Sequence, residues 1–406
     1  MITKKDIQAC LSAPVTLFDW HLQRLRKRDR NVWVFGAWRG DLYADSTRAF
    51  FEWMNENHPE ITTVWLTRNH RVYDQLQSKG LKVAYINSAE GRQWCKKAAL
   101  GFSSWGWKDL NERCLNGLHM MWLWHGVPIK QIGNDLAAFR RDKSFWKKVK
   151  TAVRKFVVPW EFLSFDFMIT SSHFFTPFFM SAFGINKESV HLTGCPRNDN
   201  FWRKDSDQFI KSINEKFNNP IKILFMPTFR DDANDTGKPY NPFAGYGFDA
   251  HRFAKILEEK NIVFLYKGHY YDIETGSGDL KVRCDRFINI TGDEYDDQYL
   301  FIKDCDILMT DYSSIYFDWL LMRKPIIMAP FDYDTYVKNS RQFYFDYNIM
   351  KGDYVNNWNE WCDLVEKGEY MPITEDLVDS FCGVKDNKSS ERLFQEVSKY
   401  IESISF

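Results

Sequence analysis

Two histidines each follow an apolar run and flank a glycine: Trp124-His125-Gly126-Val127-Pro128-Ile129-Lys130 and Tyr266-Lys267-Gly268-His269. An imidazole at the carboxyl end of a buried strand can take a proton from an incoming hydroxyl, because its ordinary pKa lies near neutrality. Spacing alone also fits a capping or core histidine at 125 and a solvated loop at 267–269. Met226-Pro227-Thr228-Phe229-Arg230 ends another apolar run, and the planar fork of Arg230 suits phosphate as well as it suits a surface ion pair. Thr310-Asp311-Tyr312-Ser313-Ser314 precedes a helical pattern. There Ser313 or Ser314 would be the N-cap, with free N–H groups for a diphosphate. Asp318, four residues after Ser314, would share its helix face and accept from ribose hydroxyls; an ordinary capped helix explains the same residues.

These groups need elements to hold them. Short apolar runs at 32–36, 62–66, 81–86 and 120–124 read as strands, with helical stretches at 45–57, 70–79 and 93–100 between them. The pattern restarts after residue 200, with strands at 221–226, 262–266, 288–290, 306–310 and 325–329. Helices are predicted at 253–260, 298–303 and 315–322, and a largely helical segment over 3–28 is kinked at Pro14. Such alternation means parallel sheets of βαβ units. The expected fold class is α/β, with two Rossmann-like doubly wound domains, 1–202 and 203–406, facing across a cleft. Ligands then sit beyond the carboxyl ends of the strands, where the four motifs fall. The residue set is basic and hydroxylic with two histidines, which fits a nucleotide-diphosphate donor and a hydroxyl acceptor.

Composition narrows the class. Of 406 residues 44% are apolar, enough for full-sized cores. Lys plus Arg and Asp plus Glu both number 54, so a nucleic-acid partner is not expected. The eight cysteines form no C-x-x-C pair, which suits a reduced cytosolic protein. No apolar run reaches the roughly 18 residues of a spanning helix, and no secretory leader is visible. The pairs Asp304-Cys305-Asp306 and Asp332-Tyr333-Asp334 are weak metal signals, and no metal or other cofactor is expected. Between Arg140 and Lys155 eight basic residues face the single acid Asp142, a local charge of +7. Phe139, Trp146, Val149, Val153, Phe156 and Trp160 recur around it at helical spacing. This is the profile of a helix lying on an anionic membrane, with Arg140, Arg141, Lys147, Lys148, Lys150, Arg154 and Lys155 on the lipid phosphates and Trp146 and Trp160 as anchors. A solvated face on a packed helix has the same pattern, and a nucleic-acid patch is the third reading.

With Gly194-Cys195-Pro196-Arg197-Asn198-Asp199, these motifs occur in an order that resembles the CDP-glycerol glycerophosphotransferase family, builders of teichoic acids and related capsule polymers. The likeness covers roughly residues 100–380, with Tyr270 where relatives often carry proline. It implies a GT-B fold and metal-independent transfer of a polyol phosphate from CDP-glycerol or CDP-ribitol to a lipid-linked or polymeric acceptor, at the cytoplasmic face of the membrane. By position, His125 is the implied base, with Gly126 and Lys130 on the acceptor side and His269 at the donor phosphates. Arg230, Thr228, Lys267, Asp311, Ser313 and Ser314 would hold the diphosphate, and Asp318 the ribose. A nucleotide-sugar glycosyltransferase of the same fold is the alternative, and primase and polymerase roles both stay open.

Overall fold

A computed structural model describes residues 4–136, 145–228, 230, 241–268, 282, 284–290, 295, 297–339 and 341–404. The first sheet has seven parallel strands in the order β3-β2-β1-β4-β5-β6-β7. They are β1 Asp29–Gly36, β2 Thr62–Thr67, β3 Val83–Tyr85, β4 Ala98–Ser103, β5 His119–Trp122, β6 Phe167–Thr170 and β7 Val190–Leu192. The second has six, ordered β10-β9-β8-β11-β12-β13: β8 Ile221–Met226, β9 Ile262–Tyr266, β10 Phe287–Asn289, β11 Ile307–Thr310, β12 Ile326–Met328 and β13 Asp353–Tyr354. Both orders reverse beside the first strand, between β1 and β4 and between β8 and β11. That reversal opens a crevice at the strand ends of each sheet.

The central strands are covered on both faces and therefore read as continuous apolar runs. Val32, Trp33, Val34 and Phe35 of β1 are all buried. Phe35 stacks on Phe102 of β4 at 4.6 Å, a contact worth about 0.5–1.5 kcal/mol beyond its buried area. β4 is a strand where the sequence predicts the end of a helix; the helix stops at Lys97. β6 and β7 are also absent from the sequence reading. The helix expected over 298–303 is two 3₁₀ turns, Gln298–Leu300 and Ile302–Asp304.

The sheets divide between Leu192 and Ile221, but the chain crosses twice. The last helix, Ser389–Ser403, returns to the first domain, where Leu393 and Val397 join its core. The assignment of 203–406 to the second domain is corrected at that point. Asp199 fixes the return, accepting from the Ser389 and Ser390 amides at 2.9 Å and from Ser390 Oγ at 2.8 Å. An antiparallel bridge between Lys130 and Phe343 joins the domains at the cleft mouth.

Candidate active site

The two crevices form one cleft of about 380 Å³. Trp38 follows β1, Trp105 follows β4 and His125 follows β5 on one wall. Thr228 follows β8, Lys267 follows β9 and Ser313 and Ser314 follow β11 on the other. The two walls touch at Gly126, where an added Cβ would lie 2.3 Å from Ser314 Oγ and would displace that hydroxyl.

His125 is half-buried among Trp38, Trp105 and Trp124, with ring centroids 5.4, 5.1 and 4.0 Å away. Trp124 has φ +50°, a costly conformation for a bulky residue and one that clusters at functional sites. His125 Nδ1 lies 3.1 Å from the carbonyl oxygen of Ser104. A carbonyl only accepts, so Nδ1 carries the proton and the neutral ring keeps its lone pair on Nε2. Burial lowers the His125 pKa below the ordinary 6.5, against the opposing pull of Asp45 and the Ser104 bond. The ring is therefore neutral, and competent as a base, at pH 7.

On the facing wall Thr228 Oγ1 is buried and has no hydrogen-bond partner among the described residues. Lys267 lines the cleft and donates to the Tyr295 carbonyl at 3.2 Å. Lys130 and Arg341 also line it, Lys130 Nζ lying 5.5 Å from the Tyr336 ring. Positive and hydroxyl groups thus meet opposite a neutral imidazole, an arrangement that can hold a diphosphate and deprotonate a hydroxyl.

Three expected donor ligands are engaged elsewhere. Arg230 is buried, with Nη2 2.7 Å from Asp311 and Nε 2.7 Å from Asp332. Two carboxylates take up its charge, so it braces the strand ends instead of facing the cleft. Asp311 also accepts from the Thr228 amide at 2.8 Å, which sets the loop that carries Thr228. Asp318 turns away from the cleft. Its oxygens accept from Arg197 at 2.8 Å, Asn198 at 2.8 Å and Tyr299 at 2.6 Å. The helix beyond the serines runs only Ile315–Leu320, and Ser314 makes no side-chain cap. His269 lies outside the described residues. Neither D-x-D pair lines the cleft: Asp304, Asp306 and Asp332 pair with Lys303, Lys222 and Arg230.

The basic helix forms over Phe145–Val157, while Arg140 and Arg141 fall outside the described residues, as do the side chains of Trp146, Lys147, Lys148 and Lys150. Trp160 is corrected from lipid anchor to internal peg. It is buried edge-to-face on Trp20 at 5.9 Å, with the Arg113 guanidinium 5.6 Å from its ring. Arg154 and Lys155 are exposed, the former paired with Glu161 at 2.6 Å.

Sequence reasoning missed Trp38, Trp105, Asp109 and the Asp45–Arg197 pair. The signal that could have found the middle two is Ser103-Ser104-Trp105-Gly106, a small-residue turn directly after a strand.

Residues 18–399 match the family described as CDP-Glycerol:Poly(glycerophosphate) glycerophosphotransferase. A teichoic acid glycerol-phosphate transferase of Staphylococcus aureus (strain NCTC 8325 / PS 47) is 24% identical, over 91% of this chain and 94% of its own. A teichoic acid poly(glycerol phosphate) polymerase of Bacillus subtilis (strain 168) is 28% identical over 91% of this chain, which spans only 49% of that protein. The structure of the wall teichoic acid polymerase TagF superposes with a TM-score of 0.71 at 22% identity, covering 98% of this chain and 97% of that one. The fold is accordingly GT-B, and the chain belongs to the CDP-glycerol:poly(glycerophosphate) glycerophosphotransferase family of transferases.

Proposed function

We propose that this protein transfers a polyol phosphate, glycerol phosphate before ribitol phosphate, from a CDP-polyol to a hydroxyl of a membrane-associated lipid-linked or polymeric acceptor, in teichoic acid synthesis. The observation that carries the reading is His125, with its lone pair on Nε2, opposite Thr228, Lys267, Ser313 and Ser314 in one cleft. His125 takes the proton of the acceptor hydroxyl. The freed oxygen attacks the phosphorus that bears the polyol, the bond from that phosphorus to the bridging oxygen breaks, and CMP leaves. Lys267 and the hydroxyls of the donor wall offset the charge that develops on the phosphates. Lys267 supplies positive charge at the donor wall, and the proposed transfer is metal-independent.

Mass spectrometry of the product tests this. Incubation with CDP-glycerol, a synthetic lipid-linked acceptor and a strong chelator should add one glycerol phosphate per turn and release CMP. A product heavier by a sugar without phosphate, or turnover that appears only with added magnesium, would overturn the reading.

Attachment to an anionic membrane surface is part of the same proposal. No helix among the described residues is long and apolar enough to cross a membrane. Two helices do carry outward apolar stripes. Val15, Phe18, Leu22 and Leu25 are 73%, 68%, 38% and 82% exposed along and just beyond Lys4–Gln23. Val153 and Phe156 are 57% and 77% exposed on Phe145–Val157. The Trp20–Trp160 contact ties the first helix to the turn that ends the second. Basic residues near lipid add roughly 1 kcal/mol each and are screened by salt, whereas the apolar stripes are not. Replacing Phe18, Leu22, Leu25 and Phe156 with serine should abolish co-sedimentation with anionic liposomes in high salt and leave CDP affinity unchanged. Unaltered co-sedimentation would place the contact elsewhere.

A further inference from the structure

We propose that Asp109 is a positioning residue for the base: its buried carboxylate ties together the two loops that orient His125. The inference rests on the reading of His125 as the base. Asp109 is fully buried at the carboxyl ends of β1 and β4. Its Oδ1 accepts from the Arg39 amide at 2.6 Å. Its Oδ2 accepts from the amides of Ser104, Trp105 and Gly106 at 2.9, 2.7 and 3.3 Å. Capping of its own 3₁₀ turn, Trp107–Asp109, accounts for the Gly106 bond alone. The other three donors lie on segments that line His125.

Each of those segments touches the imidazole. The Ser104 carbonyl accepts from Nδ1, and the Trp105 ring stacks on His125 at an interplanar angle of 15°. Trp38 and Arg39 have φ of +47° and +59°, conformations that cost about 1–3 kcal/mol each and persist only where the surroundings over-determine them. The bond from the Arg39 amide to Asp109 is such a constraint, and the Arg39 guanidinium lies over the far end of the same unit, 5.2 Å from the Trp105 ring. The turn is also pressed against β1: a Cβ at Gly36 would lie 2.2 Å from the Asp109 carbonyl oxygen. One carboxylate therefore sets the carbonyl that selects the tautomer and both rings that fix the plane of the base.

Asp109→Asn replaces one acceptor oxygen with an NH₂ that faces backbone donors, which should loosen both loops. A displacement of the base by about 1 Å costs up to about 10²-fold in rate. The expected result is a fall in kcat of about 10- to 100-fold, an unchanged Kd for CDP, and an acid limb of the pH profile moved up towards that of a solvated imidazole. General destabilisation would lower the active fraction without moving that limb. Trp105→Phe alters a half-buried ring and tests the same unit should the asparagine variant not fold; it should lower kcat about tenfold with the same split. In the double variant the two losses should be less than multiplicative, as for residues acting through one contact. A folded Asp109→Asn protein with parental kcat and pH limb would overturn the proposal, as would parental kcat in Trp105→Phe. Parental activity in His125→Ala would remove the base assignment and this inference with it. Loss in that variant alone, with position 109 neutral, would remove only this inference.

Discussion

Alanine at position 125 is expected to lower transfer from CDP-glycerol by about 10²–10⁴-fold, the usual worth of a general base, while CDP affinity stays within about twofold. The split follows from the placement of His125: it stands on the wall built from β1, β4 and β5, whereas the proposed nucleotide contacts stand on the other sheet. The pH profile carries the same information. Because burial lowers the His125 pKa below 6.5, the rate should hold through pH 7 and fall only as pH drops below the ordinary imidazole value. Steady-state rates across pH 5–8, with calorimetry for CDP, measure both. A loss under tenfold, or an acid limb at or above 6.5, would remove His125 from this role.

The second large effect concerns stability. Arg197 is 1% exposed and holds Asp45 of the first domain and Asp318 of the second, each at 2.8 Å. Its guanidinium also lies 4.4 Å from the Tyr299 ring. Arg197→Met keeps the bulk of the side chain but leaves two buried carboxylates without their cation. Removing one partner of a buried ion pair costs about 3–5 kcal/mol. Urea unfolding should show a loss of that size, and Asp45 should lose its hold on Trp38, whose Nε1 donates to it at 2.5 Å. Unfolding at the parental midpoint would mean that water or a rearranged side chain replaces the arginine.

The strands that formed where expected are those with β-branched or aromatic runs bounded by turn residues. Ile221–Met226 and Ile262–Tyr266 coincide with β8 and β9 from end to end. β4 escaped because Ala98-Ala99-Leu100-Gly101 lacks β-branched residues and comes after a helix without an intervening turn residue, so helical periodicity runs on through it. Missing β4 concealed the loop at its carboxyl end, with Ser104, Trp105 and Asp109. His125, Thr228, Lys267, Ser313 and Ser314 were legible because each comes directly after a strand that was read. Arg230 and Asp318 were legible as polar groups near the cleft, but not as braces. Their partners Asp332, Arg197 and Tyr299 are fixed by tertiary contact, and no spacing along one chain shows which carboxylate meets which cation. Ser314 and Asp318 do have the i, i+4 spacing of a shared helix face, yet three donors draw Asp318 to the domain junction.

The returning helix Ser389–Ser403 bears on synthesis as well as on shape. β7, the last strand of the first sheet, ends at Leu192. The helix that covers Trp33 through Phe394, and buries Leu393 and Val397, is translated roughly 200 residues later. At roughly 5–20 residues per second a ribosome needs roughly 10–40 s for that stretch. Throughout this interval the nascent first domain presents an aromatic face with no cover, while the second domain can close on its own sequence. The half made first is completed last. Chains released early by a nonsense codon beyond the second sheet would therefore carry a bare sticky surface, and they should partition to chaperones or inclusion bodies even though every cleft residue named above has been translated.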